Sequence, residues 1–233
     1  MPVAVKITAG GAGGATTFTF GQSDGERPPG VTSAAMELHG PFKTTLASTL
    51  PHEVMHVVLA THFGRPVPRW ADEGIAVLAE SDVEQTNHEV RARELLNAGR
   101  GIRLATLFRM TDYPRDMIVM FVQGHSVCRF LLDRGPPADG GPTRSVRYPA
   151  GPASERVTTF PSDDRYAALL AFVGIGSWAN TPESWAAAAK GVYGFDSIDA
   201  LEQAWIDSLR EPPGRRRPVA PPPREPGEGP RQP

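Results

Sequence analysis

With 233 residues the chain is long enough for one domain with a sizeable core. Its 24 basic and 26 acidic side chains leave a formal charge of −2, which argues against nucleic acid or an acidic membrane surface as a partner. The single cysteine, Cys128, excludes an intrachain disulfide, and no run of about 18 apolar residues is present to span a membrane.

Met1 to Lys6 lack the charged start and long apolar stretch of an export signal. Val3, Val5 and Ile7 alternate with Ala4, Lys6 and Thr8, the pattern of a half-buried strand. Gly10, Gly11, Gly13 and Gly14 follow; with no Lys-Ser/Thr pair or helix after them they read as a turn, not a phosphate loop. Residues 16–20 alternate again, with Phe18 and Phe20 on one face, and 21–33 is a polar Pro/Gly loop. A third strand is expected over 34–39, Met36 and Leu38 facing one way.

From Phe42 to Gly64 the pattern is helical, with Pro51 demanding either a kink or a later start near Thr49. Further helices are expected over 70–81, 82–98 (solvent-facing, His88 included), 104–110, 115–134, 166–173, 182–190 and 198–209. Met117, Met120, Phe121, Val127, Phe130 and Leu131 form a core stripe, and Cys128 reads as a small core residue beside it. The Pro/Gly-rich stretch 135–164 shows little periodicity and reads as a surface insertion or a lid. Residues 211–233 are Pro, Arg, Gly and Glu with few apolar side chains, too few to fold. The expectation is one α+β domain over 1–210, a small N-terminal sheet on the central helix and a mostly helical remainder, followed by a disordered tail.

The chemistry sits in that central helix. His52-Glu53-Val54-Met55-His56 is His-Glu-x-x-His. Four residues apart on a helix, the two imidazoles lie only about 40° apart and can share one metal ion. Glu53, about 100° round from His52, can reach a metal-bound water without displacing it. A tetrahedral zinc site needs a third protein ligand and an open position. His62 fits one known spacing, but residues 57–60 contain no helix breaker. A continuing helix would carry His62 about 9 Å further along the axis and about 100° off the ligand face. Glu73 lies on a second helical stretch after the turn Gly64-Arg65-Pro66-Val67-Pro68 and can return to the first.

His-Glu-x-x-His, a short Pro-containing loop and then Pro68-Arg69-Trp70-Ala71-Asp72-Glu73-Gly74-Ile75-Ala76 resemble the gluzincin zinc metallopeptidases, in particular the peptidase MA-like group. The resemblance covers residues 50–80, with weaker echoes in Gln123-Gly124-His125-Ser126 and in Gly194-Phe195-Asp196-Ser197-Ile198 with Leu201 and Trp205. It implies a zincin-like fold, Glu73 as third zinc ligand beside His52 and His56, and a peptide or protein substrate laid along an edge strand, either 16–20 or 34–39. Relatives of this kind are often secreted or periplasmic. Glu53 is then the general base. Gluzincins also supply an oxyanion donor, a Tyr or His beyond the third ligand. Phe121 stands where a Tyr is expected, which leaves His125 as first candidate and Tyr113 as second. Asp72 is positioned to orient a ligand histidine. Two alternatives stay open: a metal-binding interaction domain without hydrolysis, and a hydrolase of non-peptide substrates.

Overall fold

In the computed structural model, residues 2–8, 10–21, 30–137, 141–151 and 154–210 are described; the expected tail at 211–233 lies outside the described residues. Three strands, β1 (Val3–Thr8), β2 (Gly13–Gly21) and β3 (Gly30–His39), form a mixed sheet in the order β1-β3-β2. β1 runs parallel to β3, pairing Val5 with Met36, and β2 runs antiparallel to it, pairing Thr16 with Met36 and Gly14 with Leu38. Directly opposed residues share a face. Gly14 and Thr16 therefore lie on the same side as Met36 and Leu38, whose side chains are 2% and 1% exposed against the central helix. Because β3 is central, the free edge beside the helix belongs to β2. Gly13 and Gly14, read from sequence as part of a turn, are inside this strand.

The central helix runs unbroken over residues 42–63. It opens as α1 (Phe42–Thr44), widens to a π turn over Thr45–Thr49 and continues as α2 (Leu50–Phe63). The Leu50 amide bonds back to the Thr45 carbonyl, five residues earlier. That wider turn makes room for the ring of Pro51, which would strike the carbonyl four residues back in a regular helix. Neither a sharp kink nor a later start is needed. Gly64, at φ 63°, takes the left-handed position that closes the helix.

A short loop leads to α3 (Arg69–Val77), which packs on α2 and is buried along almost its whole length. α4 (Asp82–Asn97), α5 (Leu104–Leu107) and α6 (Met117–Arg134) follow, then the hairpin β4 (Thr143–Gly151) and β5 (Ser154–Pro161), then α7 (Arg165–Ala179), α8 (Pro182–Tyr193) and α9 (Ile198–Arg210). The hairpin occupies the stretch 135–164, which the sequence reads as a surface insertion or a lid without strands. Val146, Tyr148 and Phe160 point inward, and Val146 seats against Gly191 of α8. The prolines and glycines scattered through this stretch of sequence hid an alternation only three side chains long. Behind α3 an aromatic cluster of Trp70, Phe108, Phe172 and Trp185 fills the core, with ring centroids 4.6–5.9 Å apart.

α3 and α6 cross at two glycines. A Cβ on Gly74 would lie 2.5 Å from the Gly124 carbonyl carbon, and one on Gly124 would lie 2.3 Å from the Trp70 carbonyl oxygen. Gly74 and Gly124 thus let two backbones touch, which fixes the depth of α3 against α6 one residue from Glu73. Gly74→Ala is expected to cost about 1–3 kcal/mol of stability as overpacking does, read by urea unfolding, and to weaken metal binding as α3 is pushed away. Unchanged urea midpoints would show that the crossing can relax.

Candidate metal centre

Four side chains from α2 and α3 converge in one cavity. His52, Glu53 and His56 each offer a ligand atom, all within 4.8 Å of one another. From α3, Glu73 Oε2 stands 3.4 Å from His52 Nε2 and 3.7 Å from His56 Nε2. The two imidazoles lie edge to face at 4.8 Å between centroids. Ligand atoms about 2.0–2.1 Å from a tetrahedral zinc stand about 3.3–3.4 Å apart, close to the 3.4 and 3.7 Å that separate Glu73 Oε2 from the two Nε2 atoms. His62 is elsewhere: it is exposed, and its ring meets Phe63 edge to face at 4.8 Å.

The other ring nitrogens are held by carboxylates. His56 Nδ1 bonds Asp72 Oδ1 at 2.8 Å and His52 Nδ1 bonds Glu80 Oε1 at 2.7 Å. Each carboxylate accepts a hydrogen bond from Nδ1–H and leaves Nε2 facing Glu73. Glu80 escaped the sequence reading; it lies past the end of α3, in the turns after Val77, which return its carboxylate to His52. Tyr113 Oη donates to Glu73 Oε1 at 2.9 Å, its ring lying under the Arg69 guanidinium at 4.9 Å.

Without metal this is a tight proton-sharing cluster. Burial alone would lower the His52 pKa, but its bonds to Glu73 and Glu80 outweigh that and raise it to about 9. For His56, too, burial lowers and the bond to Asp72 raises, and the net direction is upward. Glu73 is pushed up by burial, yet the bond from His52 and the nearness of His56 hold it below its ordinary range. Burial and the Glu73 charge push Tyr113 up to about 12, so its hydroxyl keeps its proton at neutral pH. A metal entering here displaces the His52 proton, so binding releases protons and weakens in acid.

The cavity measures about 790 Å³. Ala12 and the first residues of β2, Gly13 to Thr16, form one wall, and Met117, Ile118 and Phe121 at the start of α6 an apolar one. Glu84, His88 and Arg91 of α4 line a polar side. His88, expected to face solvent, is half-buried there, because α4 turns Ala92 onto α6 and brings this face of the helix inward. Glu53 is 4% exposed, and Thr16 Oγ1 donates to its Oε2 at 2.6 Å. No protein-family model, curated protein or solved structure matches this chain. Function must therefore be read from the site itself.

The stretch Gln123-Gly124-His125-Ser126 lies behind the cavity, each residue with a packing role. Gln123 clamps the backbone of Ile102, Gly124 meets Trp70, and Ser126 Oγ accepts from Trp205 Nε1 at 3.0 Å. His125 is 0% exposed, packs against His88 at 5.6 Å, and does not line the cavity. Neither of its ring nitrogens has a well-formed hydrogen bond. Burial first, then the neighbouring His88 and Arg129, pull its pKa down to about 3, against weak opposition from the backbone at Gly74 and Gln85. Cys128 is fully buried, and burial pushes its thiol far up, as befits an inert core residue.

A pH dependence follows. His125 stays neutral in the fold but takes up a proton in the unfolded chain below its ordinary 6.5. The unfolded state then binds more protons, so stability falls as pH drops from 6.5 towards 3. His125→Leu is expected to gain about 3 kcal/mol relative to wild type between neutral pH and pH 4.5, measured as the difference between their urea-unfolding curves at the two pH values. A constant difference would mean that this ring does not titrate with unfolding. The same variant, if still hydrolytic, removes His125 from the chemistry.

Proposed function

We propose that the protein is a zinc-dependent peptidase of gluzincin type, with a zincin-like fold. His52, His56 and Glu73 hold the metal and Glu53 is the general base. The observation that carries the reading is the convergence of His52 Nε2, His56 Nε2 and Glu73 Oε2 at 3.4 and 3.7 Å, with the Glu53 carboxylate beside them in an open cavity. When bound, zinc supplies a Lewis acid that polarises a carbonyl and brings the pKa of water to about 7.

The side chains account for the remainder. Glu53 accepts a proton from the attacking water and delivers it to the departing amine. Asp72 and Glu80 keep both imidazoles in the tautomer that presents Nε2. We assign the oxyanion donor to Tyr113, not His125: its hydroxyl is at the site, protonated, and within one bond of Glu73. The free edge of β2 beside the cavity supports an extended peptide as substrate, since an edge strand offers unpaired amides and carbonyls at strand spacing.

Incubating the purified chain with a mixed peptide library, with and without chelator, tests the assignment. Cleavage that chelation stops and added zinc restores is the expected result. Stoichiometric zinc with no cleavage of any peptide would instead favour a metal-binding domain without hydrolysis.

A further inference from the structure

The Glu53 carboxylate has an alternative to acting as base, and β2 bears on which it takes. Carboxylates are ordinary zinc ligands, and a metal with four protein ligands is a closed, structural site. Glu53 follows His52 directly, and its ligand atom is within 4.8 Å of those of His52 and His56. A swing of this carboxylate toward the three other donors would complete a tetrahedral set and remove the open position that hydrolysis needs.

Two residues of β2 hold it back. Thr16 Oγ1 donates to Glu53 Oε2 at 2.6 Å. Two residues earlier on the same face, Gly14 leaves the space that the rest of the carboxylate fills: a Cβ there would lie 2.6 Å from Glu53 Oε1 and 2.7 Å from its Cγ. The strand period of two places both on the helix side of the sheet, one bonding and one vacating. Resting on the metal assignment above, we propose that Thr16 and Gly14 hold Glu53 beside the metal position and not on it. Thr16 is a positioning residue that keeps one coordination site open.

The test uses the full chain loaded with cobalt(II) and titrated with azide, which enters only an open position and changes the visible absorption. Thr16→Val should weaken azide binding by about tenfold or more, the scale on which outer-shell partners act, while Thr16→Ser keeps the wild-type affinity. Gly14→Ala should give the same loss by crowding the carboxylate, so the outcome does not hang on one variant folding. In a Glu53→Gln background, Thr16→Val should make no further difference, because its effect passes through that carboxylate. On any peptide the wild type cleaves, Thr16→Val should lower kcat and leave KM in place.

Unchanged azide affinity in both Thr16→Val and Gly14→Ala would overturn the inference. So would a loss that persists in the Glu53→Gln background, since Thr16 would then act through the fold. Wild-type protein that takes up no cobalt would overturn the metal assignment itself, an outcome distinct from either of these.

Discussion

Glu53→Gln is expected to bind zinc as wild type does and to lose hydrolysis by on the order of 10²–10⁴-fold, the usual worth of a general base. Gln keeps the length of the side chain and can still accept from Thr16, so the 2.6 Å contact survives while the proton acceptor is gone. The residue is 4% exposed and Gln matches its shape, so the melting temperature should hold. Zinc content by atomic absorption, together with turnover of a peptide cleaved by the wild type, decides the matter. A variant that keeps both zinc and full turnover would place the base elsewhere.

Glu73→Ala and His62→Ala are expected to part company on metal content. Glu73 Oε2 lies 3.4 and 3.7 Å from the two Nε2 atoms, and its loss leaves two ligands of three. Zinc affinity should fall by more than the roughly 10–100-fold that losing an outer-shell partner costs. His62 is exposed and meets Phe63 edge to face, one helical turn and more beyond the site, so His62→Ala should retain wild-type zinc. Competition with a chromophoric chelator reads both affinities. The reverse result, zinc lost with His62 and kept without Glu73, would remove the gluzincin assignment and reopen the spacing in which His62 is the third ligand.

Much of this centre could be read from the chain because its logic is local. The four-residue spacing of His52 and His56 puts both rings on one helix face whatever surrounds them. The absence of a breaker before Gly64 carries His62 past the site. Val5, Phe18, Met36 and Leu38 announced their strands by alternation, and the sheet on helix 42–63 with helices after it is the α+β arrangement expected. Weak local signals misled. Three inward side chains in β4 and β5 were too few to show through the Pro/Gly-rich surroundings, and the charged surface of α4 hid that His88 faces the cavity.

What the tertiary structure decided concerns pairs of residues distant in the chain. Sequence spacing cannot say that Thr16 meets Glu53 across 37 positions, that Glu80 meets His52 across 28, or that Tyr113 meets Glu73 across 40. Nor can it say that Gly74 and Gly124 let two helices touch, or that His125 turns into the core while Tyr113 faces the cavity. The physical reason is the range of each constraint. Helical and strand periods fix which way a side chain points within one element, so the candidate ligands on α2 were legible. Which residue stands opposite is set by strand register and by the depth at which helices cross, and those depend on packing summed over the whole core.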